Sequence, residues 1–404
     1  MTEVVVGQQL WAGVDAGKSD HYCVVIDAEG QRLLAQRVAN DETALLELIS
    51  TVSTVVDGAE ITWAIDLNGG GAAVLIALLV GAGQRLLYIP GRTVYHASGG
   101  YRGDGKTDAK DAAIIADQAR MRRDLQPLRP GDEIAVELRI LTSRRADLVA
   151  DRTRAINRLR AQLLEYFPAL ERAFDYSTSK AALILLTGYQ TPDGLRRAGS
   201  AELAAWLRKR KARNADAVAS KALAAANAQH TIVPGQHLAA TVVARLAKEV
   251  MALDIEIDDT ETMIEERFRR HRHAEIILSM PGFGVVLGAE FLAATGGDIC
   301  GFDSVDRLAG VSGLAPVPRD SGRISGNLKR PRRYHRRLLR ACYLSAQIAI
   351  RTDAASRTYY DRKRSEGKTH TQAVLALARR RLNVVWAMLR DGTAYQPAPT
   401  AAAA

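Results

Sequence analysis

The sequence predicts an α/β layer followed by a longer all-α region. Residues 10–90 alternate short strand-like and helix-like runs, whereas strand signals almost vanish after residue 106. Apolar residues make up 47% of the chain and aromatics only 5%, so Leu, Ala and Val carry the core, which favours helices. Two helical patterns, over 131–167 and about 237–270, are far longer than an ordinary globular helix.

Taken in order, "LWAGVDAG" is a short apolar strand ended by Gly, and "YCVVIDAEG" a strand closed by an Asp-Ala-Glu-Gly turn. "QRLLAQRVA" returns as the second arm of a hairpin. "DETALLELISTVSTVV" opens on a capping Asp and has helical periodicity. "EITWAIDL" reads as a strand, "GGAAVLIALLVGAG" as a buried helix and "RLLYIP" as another strand. A hairpin followed by β-α-β units makes a mixed sheet. The helix over 131–167 carries an apolar stripe (Ile134, Leu138, Leu141, Leu148, Ile156, Leu159, Leu163) beside seven arginines between Arg139 and Arg160. In the second long helix, Val243, Leu246, Val250, Leu253, Ile257, Thr260 and Ile264 alternate spacings of three and four, the seam of a coiled coil. The two helices pair either antiparallel within one chain or across subunits. Residues 175–235 read as short helices with a basic run, "LRKRKAR". From 274, "AEIILSMPGFGVVLGAEFLAATG" is a helix, a Pro-Gly-Phe-Gly turn and a helix, and "YQPAPTAAAA" is a low-complexity tail.

With 404 residues the chain is long enough for two or three domains. Its net charge of +10 suits a polyanionic partner. Cys23, Cys300 and Cys342 are odd in number and far apart, which excludes a disulfide framework and fits a reducing compartment. No basic-then-apolar leader opens the sequence, and its longest apolar stretch is too short to span a bilayer. The expectation is a cytoplasmic protein with no membrane partner.

Asp15 ends the first strand and Asp66 the "EITWAID" strand, each followed by small residues. Functional groups of open α/β sheets gather at such strand ends. "DGKTDAKDAA" adds Asp108 and Asp111, one turn apart on one helix face. Four converging carboxylates would repel, and Mg²⁺, a hard ion that prefers oxygen, resolves that repulsion. A pair of such ions activates a hydroxyl or water and stabilises the leaving oxygen of a phosphodiester. Singly, Asp15 and Asp66 read more readily as turn or capping residues, and Asp108 and Asp111 also as first-turn helix residues. Jointly they resemble the RNase H-like layout of resolvases.

A second, basic constellation lies towards the C-terminus. The "PGFG" turn looks like a helix-hairpin-helix, in which Gly282 and Gly284 would let the backbone approach a phosphate; the other reading is a tight helical turn. "RDSGRISGNLKRPRRYHRRLLR", residues 319–340, holds nine Lys/Arg and one acid, Asp320. Within it Arg319, Arg323, Lys329, Arg330, Arg332 and Arg333 are candidate nucleic-acid ligands. Arg152, Arg154 and Arg158 of the first long helix are candidates for RNA phosphates, whose neutralisation should flatten a salt-dependence slope. Ser321 sits in a Gly-flanked loop between Arg319 and Arg323. It is either a turn residue or a nucleophile whose guanidinium neighbours steady the attacked phosphate.

Together the two constellations resemble the DEDD-type insertion-sequence transposases related to the Piv invertase, understood as bridge-RNA-guided recombinases. The resemblance spans nearly the whole chain. It rests on "GVDAGK", "AIDLNGG" and "GKTDAKDA", then on "SMPGFGVVLGAEFLAATGG", "FDSVDRLAGVSGLAPVPRDSG" and the basic run after it. It implies a RuvC-like catalytic domain over 1–128, a long-helix coiled-coil region over 129–272, a transposase domain over 273–395 and a disordered tail over 396–404. The family's acidic tetrad falls on Asp15, Asp66, Asp108 and Asp111, which would hold Mg²⁺. Its second position, usually Glu, is Asp66 here; Glu60 begins its strand rather than ending it. The nucleophilic serine falls on Ser321, with Ser325 of "RISG" the alternative. The implied mechanism is a phosphoserine link to DNA in composite sites of a tetramer assembled from dimers. A bridge RNA would pair with donor and target DNA. Two other readings remain: a RuvC-like junction nuclease that needs only the aspartates and water, and a non-catalytic nucleic-acid scaffold.

Overall fold

The computed structural model describes residues 9–56, 59–102, 105–128, 132–323, 325–326, 328–329 and 331–397. The chain divides into two compact units, residues 1–130 and 131–404.

In the first unit β1 (Gln9–Ala16), β2 (Asp20–Ile26) and β3 (Arg32–Ala39) form an antiparallel meander. The Asp27–Gly30 turn closes its hairpin, with the Gln31 amide donating to Asp27 Oδ1 at 2.7 Å. Asp41 accepts from the Ala44 amide at 3.0 Å and starts α1 (Glu42–Val56), as the capping Asp predicts. Next come β4 (Glu60–Ile65), α2 (Ala73–Gly81), β5 (Arg85–Tyr88), α3 (Gly91–Ser98), α4 (Asp108–Met121) and the two-residue β6 (Gln126–Pro127). The strand order is β3-β2-β1-β4-β5-β6, with β4 parallel to both β1 and β5. This mixed sheet is consistent with the nuclease-like layout that the strand-end aspartates suggest.

Period-two alternation splits the core into two layers. Leu10, Ala12 and Val14 of β1 face Leu45 and Leu48 of α1, while Trp11 lies on the α4 side with Ala64, Ile114 and Ile115. The apolar α2 differs from the buried helix its composition predicts. Leu75 and Leu79 are inside, but Val74 is 44% exposed, because a helix beside one face of a sheet buries only one stripe.

The second unit is almost wholly helical. It comprises α5 (Glu133–Tyr166), α6 (Pro168–Ala173), α7 (Lys180–Leu186), α8 (Pro192–Lys209), α9 (Ala215–Asn227), α10 (Gln236–Arg269), α11 (Ala274–Ser279), α12 (Val285–Thr295) and α13 (Val305–Ser312). A two-stranded ribbon, β7 (Val317–Pro318) with β8 (Leu328–Lys329), precedes α14 (Arg336–Thr352), α15 (Ala354–Ser365) and α16 (His370–Asp391). Both long helices form as the periodicity predicts. They pack on each other antiparallel within the chain: Glu137 meets Arg267 at 3.4 Å, Arg145 meets Glu261 at 2.5 Å and Arg152 meets Asp254. The predicted seam supplies the contact, with Val243, Val250, Ile257, Thr260 and Ile264 buried. The pair runs through two cores. Leu159 and Leu163 join Val243 and Val250 in one with α7–α9; Leu138 joins Ile264 and Phe268 in the other with α12, α14 and α16. No helix among the described residues is long and apolar enough to cross a membrane.

Candidate active site and nucleic-acid interface

The acidic residues owe their neighbourhood to backbone packing. Gly13 lies on the α4 face of β1, where a Cβ would stand 2.3 Å from both the Ala112 carbonyl oxygen and the Ala116 nitrogen. Glycine therefore lets α4 lie directly on the strand. Two residues on, by the same alternation, Asp15 lies on that face. In the parallel β1–β4 register Val14 pairs with Ile65, which brings Asp66 alongside Asp15 at the next position. The Ala16 amide donates to Asp66 Oδ1 at 3.2 Å. Asp108 and Asp111 form the first turn of α4, capped by Thr107 Oγ1, which accepts from the Lys110 amide at 3.2 Å.

The carboxylates sense one another. Burial pushes the Asp15 pKa up to about 6, helped by the charges of Asp66, Asp111 and Asp108, while Lys106 opposes the rise. Burial also raises Asp66, and its hydrogen bond from the Ala16 amide works against the rise. Asp108 is the outlying member: its side chain is 62% exposed, with Arg37 Nη2 at 3.9 Å. Among the described residues no three His, Cys, Asp or Glu side chains stand close enough to hold a metal ion. The donor chemistry nevertheless fits a hard divalent cation: all four are carboxylates at one sheet end, and their repulsion falls most on the half-buried Asp15.

Two residues at this sheet end escape sequence reasoning. Asn40 follows β3 and reads in the sequence as an ordinary turn residue. Its Nδ2 donates to the Lys18 carbonyl at 3.0 Å and to the Gly71 carbonyl at 2.9 Å, and its amide donates to Ser19 at 2.8 Å. It thus ties the loop after Asp15 to the loop after Asp66. His21, 1% exposed, pairs with Ala16 across the hairpin, and burial holds its pKa below the usual imidazole value. The sequence carries no signal for either beyond a polar residue next to an aspartate, Asp20 at the start of β2 and Asp41 at the start of α1.

In the second unit the β7–β8 ribbon carries Ser321 and Ser325 in its connecting loop. Ser321, Gly322 and Arg323 are exposed. Arg323, Lys329, Arg332 and Arg333 are exposed and have no acidic partner among the described residues; Arg330 lies outside them. The arginines of α5 are placed differently. Arg152 pairs with Asp254 and donates to the Ser177 carbonyl at 3.0 Å, and Arg154 pairs with Asp151. Arg158 alone of the predicted three is exposed and without an acidic partner among the described residues.

Gly282 and Gly284 separate as well. Gly282 (φ +83°) faces inward, where a Cβ would stand 2.3 Å from the Ser345 carbonyl oxygen, so its smallness serves helix packing. Gly284 is exposed, with nothing near its Cβ position, and precedes α12. The turn is held from behind by Arg381, which sequence reasoning also missed. This side chain is 5% exposed and donates to the Pro281 carbonyl and to Ser345 Oγ at 3.0 Å. Burial pushes its pKa down to about 10.

Residues 12–168 match a DEDD-type, IS110 family model described as Transposase, and residues 274–361 match the Transposase IS116/IS110/IS902 family. A 42 kDa protein of insertion element IS900 from Mycobacterium paratuberculosis is 79% identical over 99% of this chain and 100% of the relative. A 44.8 kDa protein of IS116 from Streptomyces clavuligerus is 53% identical over 97% of each chain. A 43.6 kDa protein of IS110 from Streptomyces coelicolor is 36% identical over 96% of this chain and 95% of the relative.

Proposed function

The chain belongs to the IS116/IS110/IS902 transposase family, and from that premise we propose that it cleaves and rejoins DNA through an acidic metal-binding tetrad and a serine nucleophile, guided by a bridge RNA. The observation that carries this reading is that Asp15, Asp66, Asp108 and Asp111 gather at one sheet end, where the charges of the other three add to the burial that raises Asp15 to about 6. Mg²⁺ would be held by these four carboxylates and would supply charge stabilisation to phosphate oxygens.

Ser321 is the nucleophile in this reading. Its exposed loop supports access by a DNA strand. The hydroxyl loses its proton as Oγ attacks phosphorus; an Oγ–P bond forms, one P–O bond of the DNA breaks, and the departing DNA oxygen takes up a proton. Arg323 lies two residues from the hydroxyl and offers charge to the five-coordinate phosphate. Rejoining is the reverse attack by a DNA hydroxyl, which frees the serine. The composite site is completed between subunits of a tetramer assembled from dimers, and the bridge RNA pairs with donor and target DNA, so the protein needs little readout of base edges.

The test is recombination in vitro with donor DNA, target DNA and RNA transcribed from the element's non-coding end. Asp15→Ala and Asp111→Ala are expected to abolish strand cleavage with unchanged circular dichroism, and EDTA to do the same to the wild type. Full activity in either variant or in EDTA contradicts the reading.

A further inference from the structure

A cavity of about 300 Å³ lies among α5, α12 and α14 in the second unit. Its lining is cationic: Arg139 comes from α5, Arg336 and Arg337 from the first turn of α14. Glu290 is the one acid on the wall, and both of its carboxylate oxygens accept from Arg340. It therefore leaves the other guanidinium groups uncompensated. Arg337 Nη1 donates to Ser143 Oγ, which fixes one cation against α5. Arg139 and Arg336 are exposed and have no acidic partner among the described residues.

The hydroxyls of the wall are already engaged, Thr142 Oγ1 donating to the Leu138 carbonyl and Ser143 Oγ to the Arg139 carbonyl. His335 Nδ1 accepts from the Leu338 amide at 3.1 Å, so in the neutral ring the hydrogen sits on Nε2. The dipole of α14, whose N-terminus lies at this wall, adds to the positive field. Ala293 and Ala294 leave the interior free of bulky side chains. Three guanidinium groups around an open, acid-neutralised cavity form a receptor for a tetrahedral dianion or a phosphodiester, not for a cation or an apolar ligand.

The geometry points to this cavity as a seat for one backbone phosphate of a DNA strand, held by Arg139, Arg336 and Arg337. DNA is the occupant because α14 follows closely on the basic segment 319–333, which holds Ser321 and also Arg332 and Arg333, exposed and without an acidic partner among the described residues. A strand engaged at that loop passes next to the start of α14. The assignment rests on the transposase reading and adds to it a fixed anchor for the strand that Ser321 attacks.

The experiment measures equilibrium binding of the full chain to duplex DNA and, separately, to a structured RNA, across a salt series. Arg139→Gln combined with Arg336→Gln removes two contacts and leaves Arg337 to hold Ser143. This double variant is expected to bind DNA roughly tenfold more weakly at about 150 mM salt and to lower the slope of log K against log salt by about two. Thermal melting should match wild type, and Arg32→Gln, an exposed arginine on β3, should leave the slope unchanged. An unchanged slope in the double variant overturns the proposal, as does a loss confined to RNA or one matched by Arg32→Gln. If wild type itself shows no salt-dependent DNA binding, it is the transposase reading that fails.

Discussion

Two runs of positive charge look alike in the sequence and differ in the structure. Of the seven arginines between Arg139 and Arg160 in α5, five have acidic partners: Arg144 with Glu256, Arg145 with Glu261, Arg152 with Asp254, Arg154 with Asp151 and Arg160 with Glu171. In the segment 319–340, Arg340 is paired with Glu290, whereas Arg323, Lys329, Arg332, Arg333 and Arg336 have no acidic partner among the described residues. Charge density along a chain therefore does not measure charge available to a polyanion. Three of the α5 arginines are answered by α10, whose acids fall into register once the helices pair antiparallel. Among the described residues no helix sets a comparable row of acids against Arg323, Lys329, Arg332 and Arg333.

The contrast makes its largest prediction at the loop. Replacing Lys329, Arg332 and Arg333 together with Gln should weaken DNA binding on the order of 100-fold near physiological salt and reduce the salt slope by about three. Fluorescence anisotropy across a salt series measures both. A small loss with an unchanged slope would put the loop on the same footing as α5.

The acidic sheet end supplies the next test, because there position matters rather than charge. Asn40→Ala removes the amide bridge between the loops after Asp15 and Asp66. Cleavage is expected to fall roughly tenfold, the scale seen when residues supporting metal ligands are lost. The divalent-ion concentration for half-maximal cleavage should rise, and binding of Mn²⁺ by calorimetry should weaken, with DNA affinity unchanged. A fall in cleavage with no change in either metal readout would mean that Asn40 serves the fold alone.

Within α5 the comparison becomes a pair of single substitutions. Arg152→Gln should leave the nucleic-acid salt slope unchanged and lower unfolding stability by about 1 kcal/mol, since it leaves Asp254 unpaired at a half-buried site. Arg158→Gln should do the reverse, lowering the slope by about one at constant stability. Denaturant melts and salt series separate the two outcomes.

The smallest effect concerns the end of the helix pair. His271 is 4% exposed, its Nε2 lies 3.2 Å from Asp132 Oδ2, and Asp132 also caps α5 through the Ala135 amide. Burial, with Arg272, holds its pKa below the usual value, against the pull of Asp132. A folded pKa below the unfolded one means stability that is present above pH 6.5 and lost as pH falls through the folded value. His271→Gln should therefore lose less stability than wild type between about pH 7 and pH 5. A steeper acid loss in the variant would reverse the sign.

These outcomes also mark what sequence can convey. Element types followed from periodicity, so β1–β5, α4, α5 and α10 were legible, and five of the seven seam positions of α10 are buried, with Leu246 and Leu253 half-buried. Asp15, Asp66, Asp108 and Asp111 were legible because strand ends and a first helical turn are positions a pattern can locate. Partners across space were not. That Arg152 meets Asp254 depends on the register of a helix pair, and that Asn40 joins two loops depends on the twist that brings residues 18 and 71 together. The inward face of Gly282 likewise depends on where α14 lies, because a Pro-Gly-Phe-Gly turn has the same local signature whether it meets a phosphate or a helix.

Covalent joining of Ser321 to DNA is the step on which the proposed chemistry turns, and peptide mapping of trapped reactions tests it. Full-length protein, element RNA, donor and target DNA and Mg²⁺ are combined, quenched in denaturant, digested with nuclease and protease, and analysed by mass spectrometry. The account predicts a nucleotide on the peptide containing Ser321, absent in Ser321→Ala although that variant still binds DNA and RNA. An adduct on Ser325, or cleaved DNA with no protein adduct, would contradict it.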